Sequence, residues 1–165
     1  MDAENPFHVS VFQQQTTESK PLRFGFRFSI LYPDTGGNAV VIGIGTDLME
    51  IERVAQSIER FGARFLARVY TPREIAYCQR KKKTAAESFA ARFAAKEAAA
   101  KALGTGISHG VSWLELEVGR EPHGRPILLL HGRAAERARQ MGVTRTSLSL
   151  THSREVAMAV VVMES

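Results

Sequence analysis

In Thr84-Ala85-Ala86-Glu87-Ser88-Phe89-Ala90-Ala91-Arg92-Phe93-Ala94-Ala95-Lys96-Glu97-Ala98-Ala99-Ala100-Lys101-Ala102-Leu103-Gly104, alanine fills ten of the 21 positions and neither proline nor glycine interrupts before the end. Alanine is the strongest helix former, so the spacing predicts a helix through Leu103. Thr84 and Glu87 have the spacing of a capping box at its start, and Gly104 supplies a left-handed C-cap at its end. Advancing about 100° per residue puts Phe93, Glu97 and Lys101 roughly 40°, 80° and 120° from Phe89. Glu97 therefore extends the row begun by the two phenylalanines. A carboxylate beside an apolar stripe is costly unless something pairs with it. Pairing with Lys101 at i+4 is the simplest answer, worth about 0.2–0.5 kcal/mol, and the helix alone leaves that reading open.

Working upstream, Lys81-Lys82-Lys83 reads as a connection, and Thr71-Pro72-Arg73-Glu74 opens a second helix with a capping box and a proline at the first helical position. Ala39 to Gly45 is a short apolar run read as a buried strand, with Asp47 at its end and a helix from about Met49 to Phe61. An aspartate at that junction serves equally as a helix N-cap or as a cation ligand.

Downstream, Trp113 to Val118 alternates apolar residues with Glu115 and Glu117, a strand with one buried and one wet face. Gly119 to Pro126 is a turn, and Ile127 to Leu130 a second strand. Arg133 to Gln140 is a short helix, while Arg145 to Thr151 and Val156 to Met163 are strand-like. Strands in adjacent pairs with helices against them predict a single α+β domain, largely antiparallel, over residues 40–165. Residues 1–39 read as an N-terminal extension or a start assigned too early, although Phe24, Phe26, Phe28, Ile30 and Tyr32 alternate as a strand would.

The 165 residues carry a formal charge of +5. Residues 1–39 hold three of the 22 basic side chains and four of the 17 acidic ones, whereas Arg53 to Lys101 holds twelve basic residues and four glutamates. Such a face attracts phosphates, nucleic acid or an acidic protein. One cysteine, Cys78, excludes an internal disulfide, no apolar run suits a membrane, and the start lacks a secretory signal, so the cytoplasm is the expected compartment. Gly43-x-Gly45 begins like a dinucleotide fingerprint, but Leu48 stands where the third glycine belongs. There is no P-loop, and the five histidines do not fall at zinc-ligand spacing.

Ile42-Gly43-Ile44-Gly45-Thr46-Asp47-Leu48 with Glu50, Ile51 and Arg53 resembles the opening motif of the small holo-acyl-carrier-protein synthases, within the 4′-phosphopantetheinyl transferase superfamily. Arg92 to Gly106 resembles their second motif, with its K-E-x-x-x-K core and following glycine-bearing turn. Gly124-Arg125-Pro126 and Ser149-Leu150-Thr151-His152-Ser153 resemble two later ones. The likeness runs from Val40 to Ser165. It implies transfer of phosphopantetheine from coenzyme A to a serine of an acyl carrier protein. Asp47 and Glu97 match magnesium ligands. Lys101 matches a lysine on the coenzyme A phosphates, Arg92 and Lys83 match phosphate contacts, and Thr105, Gly106, Gly124, Arg125, Pro126 and His152 fall in segments lining the coenzyme site. The resemblance also implies a homotrimer, and an acidic carrier protein met by Arg53, Arg60 and Arg64. Two other readings stay open: a basic nucleic-acid-binding module, which leaves Glu97 unexplained and lacks a reading motif, and another magnesium phosphotransferase.

Overall fold

The computed structural model describes residues 39–107 and 110–165, all within a compact unit spanning Gly37–Ser165. Residues 1–38 of the extension read for residues 1–39, its alternating segment included, lie outside the described residues. In chain order the elements are β1 Val41–Glu50, α1 Ile51–Val69, α2 Pro72–Arg80, a 3₁₀ turn Lys82–Thr84, α3 Ala85–Ala102, a 3₁₀ turn Trp113–Glu115, β2 Leu116–Arg120, β3 Pro126–Leu130, α4 Gly132–Gln140, β4 Arg145–His152 and β5 Val156–Glu164. They form an α+β domain with a three-stranded antiparallel sheet ordered β1-β5-β4 and a two-stranded antiparallel sheet of β2 and β3.

α3 lies against the larger sheet. Ala90, Ala94, Ala95, Ala98, Ala99 and Ala100 are all fully buried, so small side chains surround the helix on nearly every side. A helix buried on nearly every side belongs in a core. The glycines of β1 complete the fit. A Cβ on Gly45 would stand 2.0 Å from the carbonyl oxygen of Ala98, and one on Gly43 would stand 2.5 Å from that of Ala102. Gly43 and Gly45 are therefore packing glycines that let strand backbone touch helix backbone, which explains the incomplete dinucleotide fingerprint.

Several expectations change. β1 does not end before Asp47 but continues to Glu50, so Asp47 is a strand residue and caps no helix; Glu50 occupies the N-cap position of α1 and makes no side-chain cap bond. α1 begins at Ile51 and re-enters helix beyond Phe61, with a break at Gly62 (φ 52°, ψ −133°). The capping box at Thr71 forms in full, with Thr71 Oγ1 accepting from Glu74 N and Glu74 accepting from Thr71 N. The one read at Thr84 does not: the preceding 3₁₀ turn leaves Thr84 at φ −113°, ψ 27°, and its side chain caps nothing. Residues 113–115 are 3₁₀ rather than strand, and Glu117, read as wet, is buried. Two partners accompany the burial: Glu117 Oε1 lies 3.7 Å from Arg73 Nη1, and Oε2 lies 3.3 Å from His131 Nε2.

Candidate active site

Alternation along β1 sends Gly43, Gly45, Asp47 and Met49 to the α3 side. Because the two glycines hold strand and helix in contact, Asp47 arrives beside the last turns of α3. There Lys101 Nζ donates to Asp47 Oδ1 at 2.8 Å and to the Thr46 carbonyl at 3.0 Å. Lys101 thus pairs with Asp47 across the two elements; the i, i+4 pair with Glu97 is not among its ion pairs. Asp47 Oδ2 is buried and has no hydrogen-bond partner. Burial, and then the neighbouring Asp47 carboxylate, push the Glu97 carboxyl above the usual carboxylate range, while Lys101 pulls the other way.

Two cavities meet at Glu97. One, about 410 Å³, is lined by Asp47, Arg53, Ser57, Phe65, Phe93 and Glu97. The other, about 610 Å³, has Arg68 and Arg133 with Ile107, Val111, Trp113 and Leu114. The Phe93 and Trp113 rings, with centroids 4.5 Å apart, stand between them.

The remaining candidates stand elsewhere. Arg92 is about 140° round α3 from Glu97, buried, with its guanidinium 4.2 Å over the Tyr77 ring and its Nε without a partner. Arg80, Lys81 and Arg120 surround the same ring. Lys83 is exposed in the 3₁₀ turn before α3. Thr105 follows α3 with a buried hydroxyl that has no partner, and Gly106 takes φ 61°. Gly124 (φ 88°) and Arg125 form the β2–β3 turn, Pro126 opens β3, and His152 ends β4. Arg53 and Arg60 share a continuous run of α1; Arg64 lies past the Gly62 break, so the three do not repeat along one helix.

Sequence reasoning missed Lys96 and Glu115. Lys96 is fully buried, with its ammonium 2.9 Å from Glu74 Oε2 and donating to the Trp113 carbonyl at 2.8 Å. Its only signal was a lysine at 340° on a helix with an apolar surround, next to Phe89. Cys78 offers no nucleophile, because burial pushes its thiol up to about 11.

Residues 43–161 match the family model described as the 4′-phosphopantetheinyl transferase superfamily. The holo-[acyl-carrier-protein] synthase of Koribacter versatilis is 55% identical over 125 residues, 76% of this chain and 99% of that protein. That of Solibacter usitatus is 50% identical over 126 residues, 76% of this chain and all of that one. Among solved structures, the holo-[acyl-carrier-protein] synthase of Neisseria meningitidis matches with TM-score 0.70 at 34% identity, covering 76% of this chain and all of that one. The Helicobacter pylori enzyme in complex with coenzyme A matches with TM-score 0.64 at 34% identity, covering 73% and 98%.

Proposed function

We propose, from the premise that this chain belongs to the 4′-phosphopantetheinyl transferase superfamily, that it transfers the 4′-phosphopantetheine group of coenzyme A to a serine of an apo acyl carrier protein. The observation that carries this reading is the meeting of Asp47, Glu97 and Lys101 from two elements far apart in sequence.

In the reaction the serine oxygen bonds to the β-phosphorus, the bond from that phosphorus to its bridging oxygen breaks, and adenosine 3′,5′-bisphosphate leaves. The serine proton is assigned to Glu97, whose carboxylate lines the cavity on the side given to the carrier protein. Lys101 spends two of its three N–H donors on Asp47 and Thr46, leaving one for a phosphate oxygen. The unpartnered Oδ2 of Asp47 and the carboxylate of Glu97 make a donor set that fits Mg²⁺, which takes one or two carboxylates and completes its shell with water and substrate phosphate. Among the described residues no group of three or more His, Cys, Asp or Glu side chains comes together, the pattern a more fully protein-ligated metal would need. When bound, Mg²⁺ supplies neutralisation of the charge that builds on the diphosphate. The partnerless Arg92 Nε and Thr105 hydroxyl, with Lys83, Gly106, Arg125, Pro126 and His152, are assigned to coenzyme A.

The carrier protein is assigned to the Arg53 side of the site, with Arg60 and Arg64 beyond it. An acidic carrier held this way loses affinity as salt rises, so KM for the carrier should climb with ionic strength while KM for a neutral substrate fragment does not. The outward face of the larger sheet supports a homotrimer: Leu48 on β1 stands opposite Met158 on β5, Ile44 lies farther along the same face of β1, and all three are exposed. Sedimentation equilibrium at three times the chain mass is the expected result. No helix among the described residues is long and apolar enough to cross a membrane, and the cytoplasm is the proposed compartment.

The activity is tested by incubating the protein with coenzyme A, Mg²⁺ and an apo acyl carrier protein. The carrier should gain the mass of one phosphopantetheine arm, and a chelator should stop the gain. A carrier mass that never changes overturns the reading.

A further inference from the structure

Glu115 is held at more points than a surface glutamate of a 3₁₀ turn requires. Its Oε2 accepts from Ser112 N at 2.7 Å, closing that turn on itself. Its Oε1 accepts from Arg133 N at 2.9 Å, in the first turn of α4. Its main-chain carbonyl accepts from His131 N at 2.8 Å. Gly132 makes room for this: a Cβ there would lie 2.5 Å from Glu115 Oε1, and its φ of 50° favours glycine in any case. Against the upward push of desolvation, the N–H groups of Ser112 and Arg133 hold the Glu115 carboxyl below the usual range, so it is ionised at neutral pH. An anion at a helix start is also favoured by the helix dipole.

The clamp reaches the site through one residue. Trp113 lies inside the loop that Glu115 closes, its ring against Phe93 and its carbonyl on Lys96 Nζ. Phe93 and Lys96 flank Glu97 on α3. Ser112, Trp113, Leu114 and Arg133, all held by the clamp or adjacent to it, form one wall of the 610 Å³ cavity that opens on Glu97.

We propose that Glu115 is a positioning residue for this reaction: by tying the Ser112–Glu115 turn to the start of α4, it sets the wall formed by Trp113 and Arg133 opposite Glu97. The inference rests on the transferase reading above. With the carrier assigned to the Arg53 side, this wall faces coenzyme A. No hydrogen bond or ion pair described for Asp47, Lys101 or Glu97 goes to the clamp residues, so its loss should act on coenzyme binding and spare the chemical step.

The chain has a single tryptophan, so the emission of Trp113 reports on the wall without reference to activity. Glu115→Ala is expected to raise KM for coenzyme A roughly tenfold, an effect of ~1.4 kcal/mol, with kcat within about threefold and emission shifted to the red. Glu115→Gln keeps one carboxamide oxygen as acceptor and should fall between Ala and wild type in both readouts, and it serves as the informative variant if Glu115→Ala does not fold. Unchanged KM and unchanged emission in a folded variant overturn the proposal, as does a loss in kcat equal to that in KM. If the wild-type protein transfers nothing, the reaction assignment fails, but the emission shift still decides whether Glu115 holds Trp113.

Discussion

Replacing Asp47 with asparagine is expected to lower turnover by roughly 10²–10³-fold, the scale seen when one preorganised electrostatic group is removed from an active site, while the melting temperature moves by only a few degrees. The two halves of that expectation have separate causes. Asp47 adds little to stability: its partner Lys101 is half exposed, and pairs of that kind contribute about 0–1 kcal/mol. Lys101 also keeps its bond to the Thr46 carbonyl. Asp47 Oδ2 has no protein partner to lose. What the asparagine does lose is a negative charge facing Glu97, on which the proposed binding of Mg²⁺ depends. Glu97→Gln should cause a loss of similar size, and the double variant should be little worse than either single one, because both remove the same unit. Steady-state kinetics at saturating coenzyme A and carrier decide this. Wild-type turnover in either single variant would remove the carboxylate pair from the mechanism.

How Asp47 reaches Glu97 also marks where the sequence stops being readable. The alternation that carries Asp47 to the α3 side was present in Gly43-Ile44-Gly45-Thr46-Asp47, but nothing local explained the two glycines of that buried strand, which the backbone of Ala98 and Ala102 pressed against them does. Local signals that need only neighbours were legible. The Thr71 box, the alanine-filled α3 with Gly104 after it, and the paired strands all depend on contacts within a few residues or on propensity. Signals that depend on structure outside the motif misled. Glu117 has the alternation of a wet residue, yet His131 and Arg73 from other segments allow it to be buried. The Thr84 box had correct spacing, but the Lys82–Thr84 turn enters α3 at an angle that takes the hydroxyl away from it. At the site, helix spacing offered Lys101 only Glu97 at i+4, while Asp47 read as a cap or a cation ligand. Only the packing of β1 on α3 selects Asp47.

The largest effect on folding is expected at Glu74, a residue whose capping role was legible and whose larger role was not. Beyond the Thr71 box, Glu74 Oε1 accepts from Val118 N at 3.0 Å on β2, and Oε2 lies 2.9 Å from Lys96 Nζ, with both side chains essentially unexposed. One carboxylate thus joins α2, α3 and β2. Glu74→Gln leaves the Lys96 ammonium buried without its counter-charge, which typically costs about 3–5 kcal/mol, a large part of the roughly 5–15 kcal/mol that holds a domain folded. The melting temperature should drop by about 10–20 °C at neutral pH. The pH dependence separates this cause from simple loss of a cap. Burial, opposed by Glu74, holds the Lys96 pKa below its ordinary 10.5. The unfolded chain therefore binds that proton more tightly than the folded one, and this group's contribution to stability rises with pH between the folded value and 10.5. Without Glu74 the depression deepens and the window opens at lower pH, so the deficit of the variant should narrow as the solution is made alkaline. Adding Lys96→Met to Glu74→Gln should recover part of the loss, because the carboxamide oxygen still accepts from Val118 N and no charge is then stranded. A Glu74→Gln protein that melts within a few degrees of wild type across the whole range would show that the pair does not hold these three elements together.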